Sequence, residues 1–200
     1  MPVYATARPL QCTGGSMYLF ARFLACAAVA LPLAAQTIPI DISKWSPERV
    51  ARYKEISQTK HDPPIAVLSI PRLQYVAPVF RGSDPLTLDR GLGWIDYTAQ
   101  PNSSGNTGIA GHRDGFFRPL QDIALDDVIV VTTADVSQQF IVRALEVVDP
   151  THVEVLAPTT DPKLTLVTCY PFNFVGEAPK RLIVHATAVA TASDAAAGEP

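Results

Sequence analysis

From residue 65 onward the apolar positions come in short runs, cut by Pro, Gly, Asp and Asn. The runs fall at 65–70, 75–80, 107–110, 128–132, 139–148, 164–169 and 181–189, and they are rich in Val, Ile, Thr and Phe. Between them lie turn formers at 82–85, 100–106, 149–150, 158–162 and 176–179. Short β-branched and aromatic runs with frequent turns predict strands of an all-β sandwich or barrel. One-turn helices are expected at 85–90 and 116–120. Upstream the period changes. Ser46 suits an N-cap and Pro47 the first helical position, and Val50, Tyr53 and Ile56 follow at three-residue spacing. A helix should therefore run from 47 to between 58 and 60. His61-Asp62-Pro63-Pro64 breaks it. There is no internal repeat.

The first 40 residues read differently. They hold no acidic residue and two basic ones, Arg8 and Arg22, and residues 23–35 carry no charge. Thirteen apolar residues fall short of the about 20 that span a bilayer. They suit a signal-peptide core of about 7–15 residues, with Ala34 and Ala35 behind it. Leu33 is a poor match before a cleavage site, and extension through 37–40 gives a tilted, uncleaved anchor. Residues 1–40 are thus expected to be a signal peptide or membrane anchor, the bland alternative being a buried N-terminal helix. Met17 is a second candidate start, which makes 1–16 a candidate extension. The chain then divides into a helix and linker at 41–64, one domain at 65–190 and a disordered Ala-, Ser- and Gly-containing tail at 191–200.

Composition narrows the classes. There are 18 prolines in 200 residues, against a usual share of roughly 5%, which argues against long helical bundles. Hydrophobic residues make up 48% and charged residues 18%, so most of the length should fold. The net charge of −3 gives no basic footprint for nucleic acid. Without Arg8 and Arg22, the 16 basic residues become 14 against 19 acidic, a net of −5 over 41–200. Three cysteines exclude a disulfide scaffold, and two of them, Cys12 and Cys26, lie in the leader. The exported part keeps Cys169, which is either an inert core residue or a reactive thiol.

The neighbours of Cys169 favour chemistry. In Leu164-Thr165-Leu166-Val167-Thr168-Cys169, alternation puts Leu164, Leu166 and Thr168 on one face and Thr165, Val167 and Cys169 on the other. Tyr170-Pro171 follows, so the thiol stands at a strand end with rigid backbone and good access. His112 ends another short apolar run, in Gly111-His112-Arg113-Asp114-Gly115. It is either a surface loop residue or the base and acid for a thiol. Arg181 opens the last strand, where a hairpin can bring it to Cys169; its fixed charge and several donors suit an oxyanion. His61, His152 and His185 sit at a break, in a turn and inside a strand, and read as structural.

Thr165-Leu166-Val167-Thr168-Cys169, followed by Lys180-Arg181 and preceded by Gly111-His112, resembles the sortase family of cysteine transpeptidases. The strings Gly111-His112-Arg113-Asp114, Phe116-Phe117-Arg118-Pro119-Leu120, Cys169-Tyr170-Pro171-Phe172 and Pro179-Lys180-Arg181-Leu182-Ile183-Val184 resemble its class D branch. Class D members often carry Thr where Gly115 stands. The likeness runs from about Ile65 to Val189, in order.

The resemblance implies an eight-stranded β-barrel with short helices. It implies that Cys169 attacks a scissile carbonyl in an LPxTG-like sorting motif and forms a thioester. His112 then protonates the leaving amine and deprotonates the incoming one, and Arg181 stabilises the oxyanion. Thr168, Tyr170 and Phe172 are weaker candidates for substrate contact, with Phe174 and Val175 in the same loop. Asp114 is a candidate to orient His112. No cofactor is expected. Some sortases need calcium, but Asp84, Asp89 and Asp96 read more simply as turn formers. The implied partners are secreted proteins with a C-terminal sorting motif, an amine acceptor on cell wall or pilin, and the membrane if the leader is retained. The implied location is the extracytoplasmic face of the membrane or the periplasm. A non-catalytic, peptide-binding barrel of the same type is the alternative. An L,D-transpeptidase is disfavoured because Thr168, not Gly, precedes Cys169, and the next Arg is twelve residues on. A thiol oxidoreductase lacks its C-x-x-C pair.

Overall fold

A computed structural model of the protein describes residues 42–43, 45–58, 61–174 and 176–189. The expectations for the leader, for the tail and for Val175 fall outside these residues. Eight strands close into a barrel: β1 (Ala66–Ile70), β2 (Tyr75–Arg81), β3 (Leu92–Trp94), β4 (Asn106–Gly111), β5 (Val128–Thr132), β6 (Ser137–Val148), β7 (Lys163–Tyr170) and β8 (Lys180–Ala188). Their order around the barrel is β1-β2-β3-β4-β7-β8-β6-β5. β2 with β3 and β4 with β7 run parallel; the other pairs are antiparallel. Closure removes the free edges that an open sheet would expose.

The interior follows from two-residue alternation. Ala66, Leu68 and Ile70 of β1 and Tyr75, Ala77 and Val79 of β2 are buried, while the residues between them are not. Ile109, Phe117, Phe140, Leu164 and Leu166 are almost fully buried and fill the middle. A side chain of that size contributes about 1.5–3 kcal/mol on burial. The strand β6 slips register between Val142 and Ala144. Beyond that bulge its Leu145 and Val147 stay exposed.

Two helices pack against each other beside the strands. The helix α1 (Pro47–Gln58) starts as expected, with the Arg49 amide donating to Ser46 Oγ at 3.3 Å. The helix α2 (Pro85–Arg90) is capped by Asp84, which accepts from the Leu86 and Thr87 amides at 3.0 and 3.2 Å. The segment expected as a helix at 116–120 is a 3-10 turn, Arg118–Asp122. No helix among the described residues is long and apolar enough to cross a membrane.

Candidate active site

Three adjacent strands present the three residues singled out from the sequence. In the parallel pair, Gly111 at the end of β4 lies opposite Thr168 of β7. One residue further, His112 follows Gly111 and Cys169 follows Thr168. On the other side of β7, Cys169 is the direct antiparallel partner of Arg181. Directly opposed residues point to the same face, with Cβ atoms about 4.5–5.5 Å apart. Cys169 therefore has Arg181 opposite it on β8, and His112 follows the β4 residue that pairs with Thr168. Cys169 is partly exposed, and among the described residues it is the free cysteine. Leu164, Leu166 and Thr168 are 2% exposed or less; on the other face Thr165 is buried as well, and exposure returns toward the strand end at Val167 and Cys169.

The ends of β4 and β7 are fastened together. The buried Thr168 hydroxyl donates to the Gly111 carbonyl at 2.8 Å. Behind His112, its carbonyl accepts from the Gly115 and Phe117 amides at 3.1 and 3.0 Å, closing a turn. Phe117 then packs onto the backbone of Gly111, where an added Cβ would meet its ring at 2.5 Å. Only glycine lets the strand end approach the core that closely. Thr168 is thus bound to the strand that carries His112, on the face of β7 opposite the thiol.

An ionic cluster flanks His112. The Asp89 side chain, at the end of α2, is 1% exposed. It accepts from Arg49 Nε on Oδ1 and from Arg52 Nε on Oδ2, both at 2.7 Å. Asp89 Oδ1 also lies 3.7 Å from His112 Nε2. Arg49 Nη1 donates to Asp114 Oδ1 at 2.8 Å, and its guanidinium sits 3.7 Å from the Trp45 ring centre. Trp45 Nε1 donates to the Asp114 carbonyl at 2.7 Å. Burial, then the positive charge of Arg49, lowers the His112 pKa; Asp89 and Asp114 oppose that shift and Arg52 adds to it. Burial acts to raise the Asp114 carboxyl, but its hydrogen bond and attraction to Arg49 outweigh this and hold it below the usual range.

Asp114 is therefore bonded to Arg49, and it is Asp89 that approaches the imidazole nitrogen. The turn-former reading holds for Asp84 and is corrected for Asp89, whose carboxylate is buried and doubly paired. Gly115 now has a reason to differ from Thr. A Cβ there would stand 2.9 Å from Arg49 Nη2 and 3.2 Å from Trp45.

The β7–β8 loop is held by Arg113, which belongs to the class D-like string at 111–114 but to which the sequence assigns no role. Its Nη1 donates to the Pro171 carbonyl at 2.9 Å, and its Nη2 to those of Phe174 and Gly176 at 2.7 and 2.9 Å. Arg181 Nη1 donates to the Ala178 and Lys180 carbonyls at 3.2 and 3.0 Å. Tyr170 and Phe172 meet edge to face at 6.2 Å and pack against the core. They line a cavity of about 410 Å³ with Leu120, Ile123, Val147 and Leu182. His185, read as structural, has Nε2 2.7 Å from Glu146 Oε1. Among the described residues no three His, Cys, Asp or Glu side chains are grouped to hold a metal ion.

Comparison with known proteins gives one consistent result. Residues 68–189 match the sortase domain family. Over 120 residues the chain is 28% identical to Sortase D of Bacillus subtilis, a match spanning 60% of this chain and 61% of that protein. The fold is similar to a Clostridium perfringens Sortase D5 transpeptidase, with TM-score 0.59, 26% identity, and 74% of this chain and 92% of that chain covered. It is also similar to Sortase A from Corynebacterium diphtheriae, with TM-score 0.60, 30% identity, and 74% and 72% covered.

Proposed function

The chain belongs to the sortase family, and from that premise we propose that it is a class D-like cysteine transpeptidase acting on a C-terminal, LPxTG-like sorting motif. The observation that supports the reading is the register: Cys169 pairs with Arg181 across β7–β8, and Gly111, the residue before His112, pairs with Thr168, the residue before Cys169, across β4–β7. A thiol alone at a strand end has no acid to expel an amine. A thiol between an imidazole and a guanidinium has both proton transfer and charge stabilisation at hand.

The steps balance as follows. Neutral His112 takes the Cys169 proton as sulfur attacks the scissile carbonyl carbon. Arg181 stabilises the negative oxygen that forms. The C–N bond breaks, His112 returns the proton to the leaving nitrogen, and a thioester remains. An incoming amine attacks that thioester and loses its proton to His112. The C–S bond then breaks, the new amide is released, and the sulfur regains its proton. The lowered His112 pKa supports this order, because it favours the neutral, proton-accepting ring near pH 7.

Thr168 aligns the two strand ends in this reading. Tyr170 and Phe172 form an apolar wall beside the nucleophile, where the motif's apolar residues are received. The leader delivers the domain across the membrane, as signal or anchor, where it joins secreted proteins to an amine on cell wall or pilin. The test is cleavage of a labelled LPxTG-type peptide, with and without an amine acceptor. The wild-type chain should cleave and transfer; Cys169→Ala, His112→Ala and Arg181→Ala should each abolish turnover. Undiminished turnover in His112→Ala contradicts the assignment.

A further inference from the structure

Asp89 is a carboxylate that the reading above does not use. A buried charge is costly unless it is paired and hydrogen-bonded. Asp89 meets that condition through Arg49 and Arg52, 40 and 37 residues away on α1. Capping of α2 does not explain it, since Asp84 does that work. Packing of α1 does not require it either, because Trp45 and Ile56 already bury apolar surface there. What the carboxylate adds is its approach to His112, with Oδ1 3.7 Å from Nε2.

We propose that Asp89, clamped by Arg49 and Arg52, is the positioning residue for the His112 imidazole: it keeps the ring proton on Nε2 and offsets the positive charge that forms when Nδ1 takes up a proton. The inference rests on the reading of His112 as the acid–base group. The present separation exceeds a hydrogen bond. It shortens to one, or takes one bridging water, when the ring becomes charged, as catalytic contacts do on reaching the working complex. The proton path is then defined: sulfur to Nδ1, and Nδ1 to the leaving nitrogen, with Nε2–H retained throughout. The helix α1 becomes part of the site, since without its two arginines the buried carboxylate has no clamp.

The charges facing His112 are Arg49 and Arg52 from α1, Asp89 from α2 and Asp114 from the following loop. Cys169 and Arg181 stand on the flanking strands. The four charges acting on the ring are two of each sign, so removing one should tip its proton affinity in a direction set by the sign removed.

The test is an NMR titration of the full chain with ring-labelled histidine. There are four histidines, and loss of one signal in His112→Gln assigns the resonance. Asp89→Asn should lower the proton affinity of His112 by about tenfold. Arg52→Gln should raise it by about threefold, and its half-exposed side chain (46%) makes this variant safe for folding. An unchanged His112 midpoint in Asp89→Asn, or a shift to higher pH, overturns the proposal. If Asp89→Asn does not fold alone, Asp89→Asn combined with Arg52→Gln, which removes one charge of each sign, is compared with Arg52→Gln: the double variant should have the lower His112 midpoint, and equal midpoints overturn the proposal. No substrate is needed, so the titration is independent of the transpeptidase reading. Peptide cleavage that survives His112→Gln contradicts that reading; unchanged titration with cleavage lost in His112→Gln contradicts the role of Asp89 alone.

Discussion

Cys169 and Arg181 are direct partners across the antiparallel pair β7–β8, so thiol and guanidinium leave the same face of the sheet. The hairpin fixes this proximity through backbone pairing rather than through a side-chain contact. Substituting Arg181 should therefore leave the fold intact and strike the chemistry. Arg181→Lys keeps the charge but loses the planar fork that binds Ala178 and Lys180 carbonyls through Nη1. We expect kcat/KM on a sorting peptide to fall about 10²–10³-fold, with thermal unfolding close to wild type. Steady-state kinetics beside a melting curve checks both.

Thr168 gives a second prediction. Thr168→Val retains the shape and β-branching but leaves the buried Gly111 carbonyl without its 2.8 Å donor. An unsatisfied buried group costs about 1–3 kcal/mol. A drop in urea midpoint of corresponding size is expected. Activity should fall by more than the stability loss explains, because the same bond aligns the strand ends that carry His112 and Cys169. Reading both quantities on one sample separates the two effects.

The pH dependence follows from His112, whose pKa burial and Arg49 hold below the ordinary value of about 6.5. Above that pH the ring is neutral both folded and unfolded, and it adds no slope. As pH falls below about 6.5, the unfolded chain binds the proton first. Folding stability attributable to this group is then lost progressively, until the folded ring's own lower pKa is passed. The acid limb of kcat/KM should accordingly lie below pH 6.5. Denaturant midpoints from pH 7 to 5 should fall less steeply in His112→Gln than in wild type.

Gly115 provides a test of how α1 docks. Gly115→Thr would put a Cβ 2.9 Å from Arg49 Nη2 and 3.2 Å from Trp45. Overpacking of this kind costs about 1–3 kcal/mol. The expected outcome is early proteolysis within α1 while the barrel remains protected, together with faster backbone hydrogen exchange in residues 47–58. A protection pattern identical to wild type counts against tight docking of the helix at this point.

The barrel was legible where its strands alternate. Leu164-Thr165-Leu166-Val167-Thr168-Cys169 announced both its inward face and its terminal thiol, and 128–132 coincides with β5. The strand β3 was not legible: three residues, Leu92–Trp94, with Gly91 before them and Gly93 among them, carry no period of their own and become a strand by pairing with β2 and β4. The three candidate catalytic residues could be named because each follows or opens a strand in the order the family uses. Asp89 could not. Its local context, Pro85–Arg90 after Asp84, is a turn and short helix, and its partners lie on a helix dozens of residues upstream. The contacts of Arg113 were hidden for the same reason, since the carbonyls it binds are 58 to 63 residues away in sequence. Local pattern exposes periodicity and strand ends; it does not expose ion pairs assembled by tertiary contact.

The most direct measurement is peptide-mapping mass spectrometry of the chain after incubation with a library of C-terminal sorting-motif peptides and no added amine. The predicted result is an acyl adduct on Cys169, with the mass of the peptide's N-terminal fragment, released on addition of an amine as the transfer product. Cleavage of the same peptides by the Cys169→Ala chain, or turnover in wild type without any Cys169 adduct under rapid quench, would contradict it.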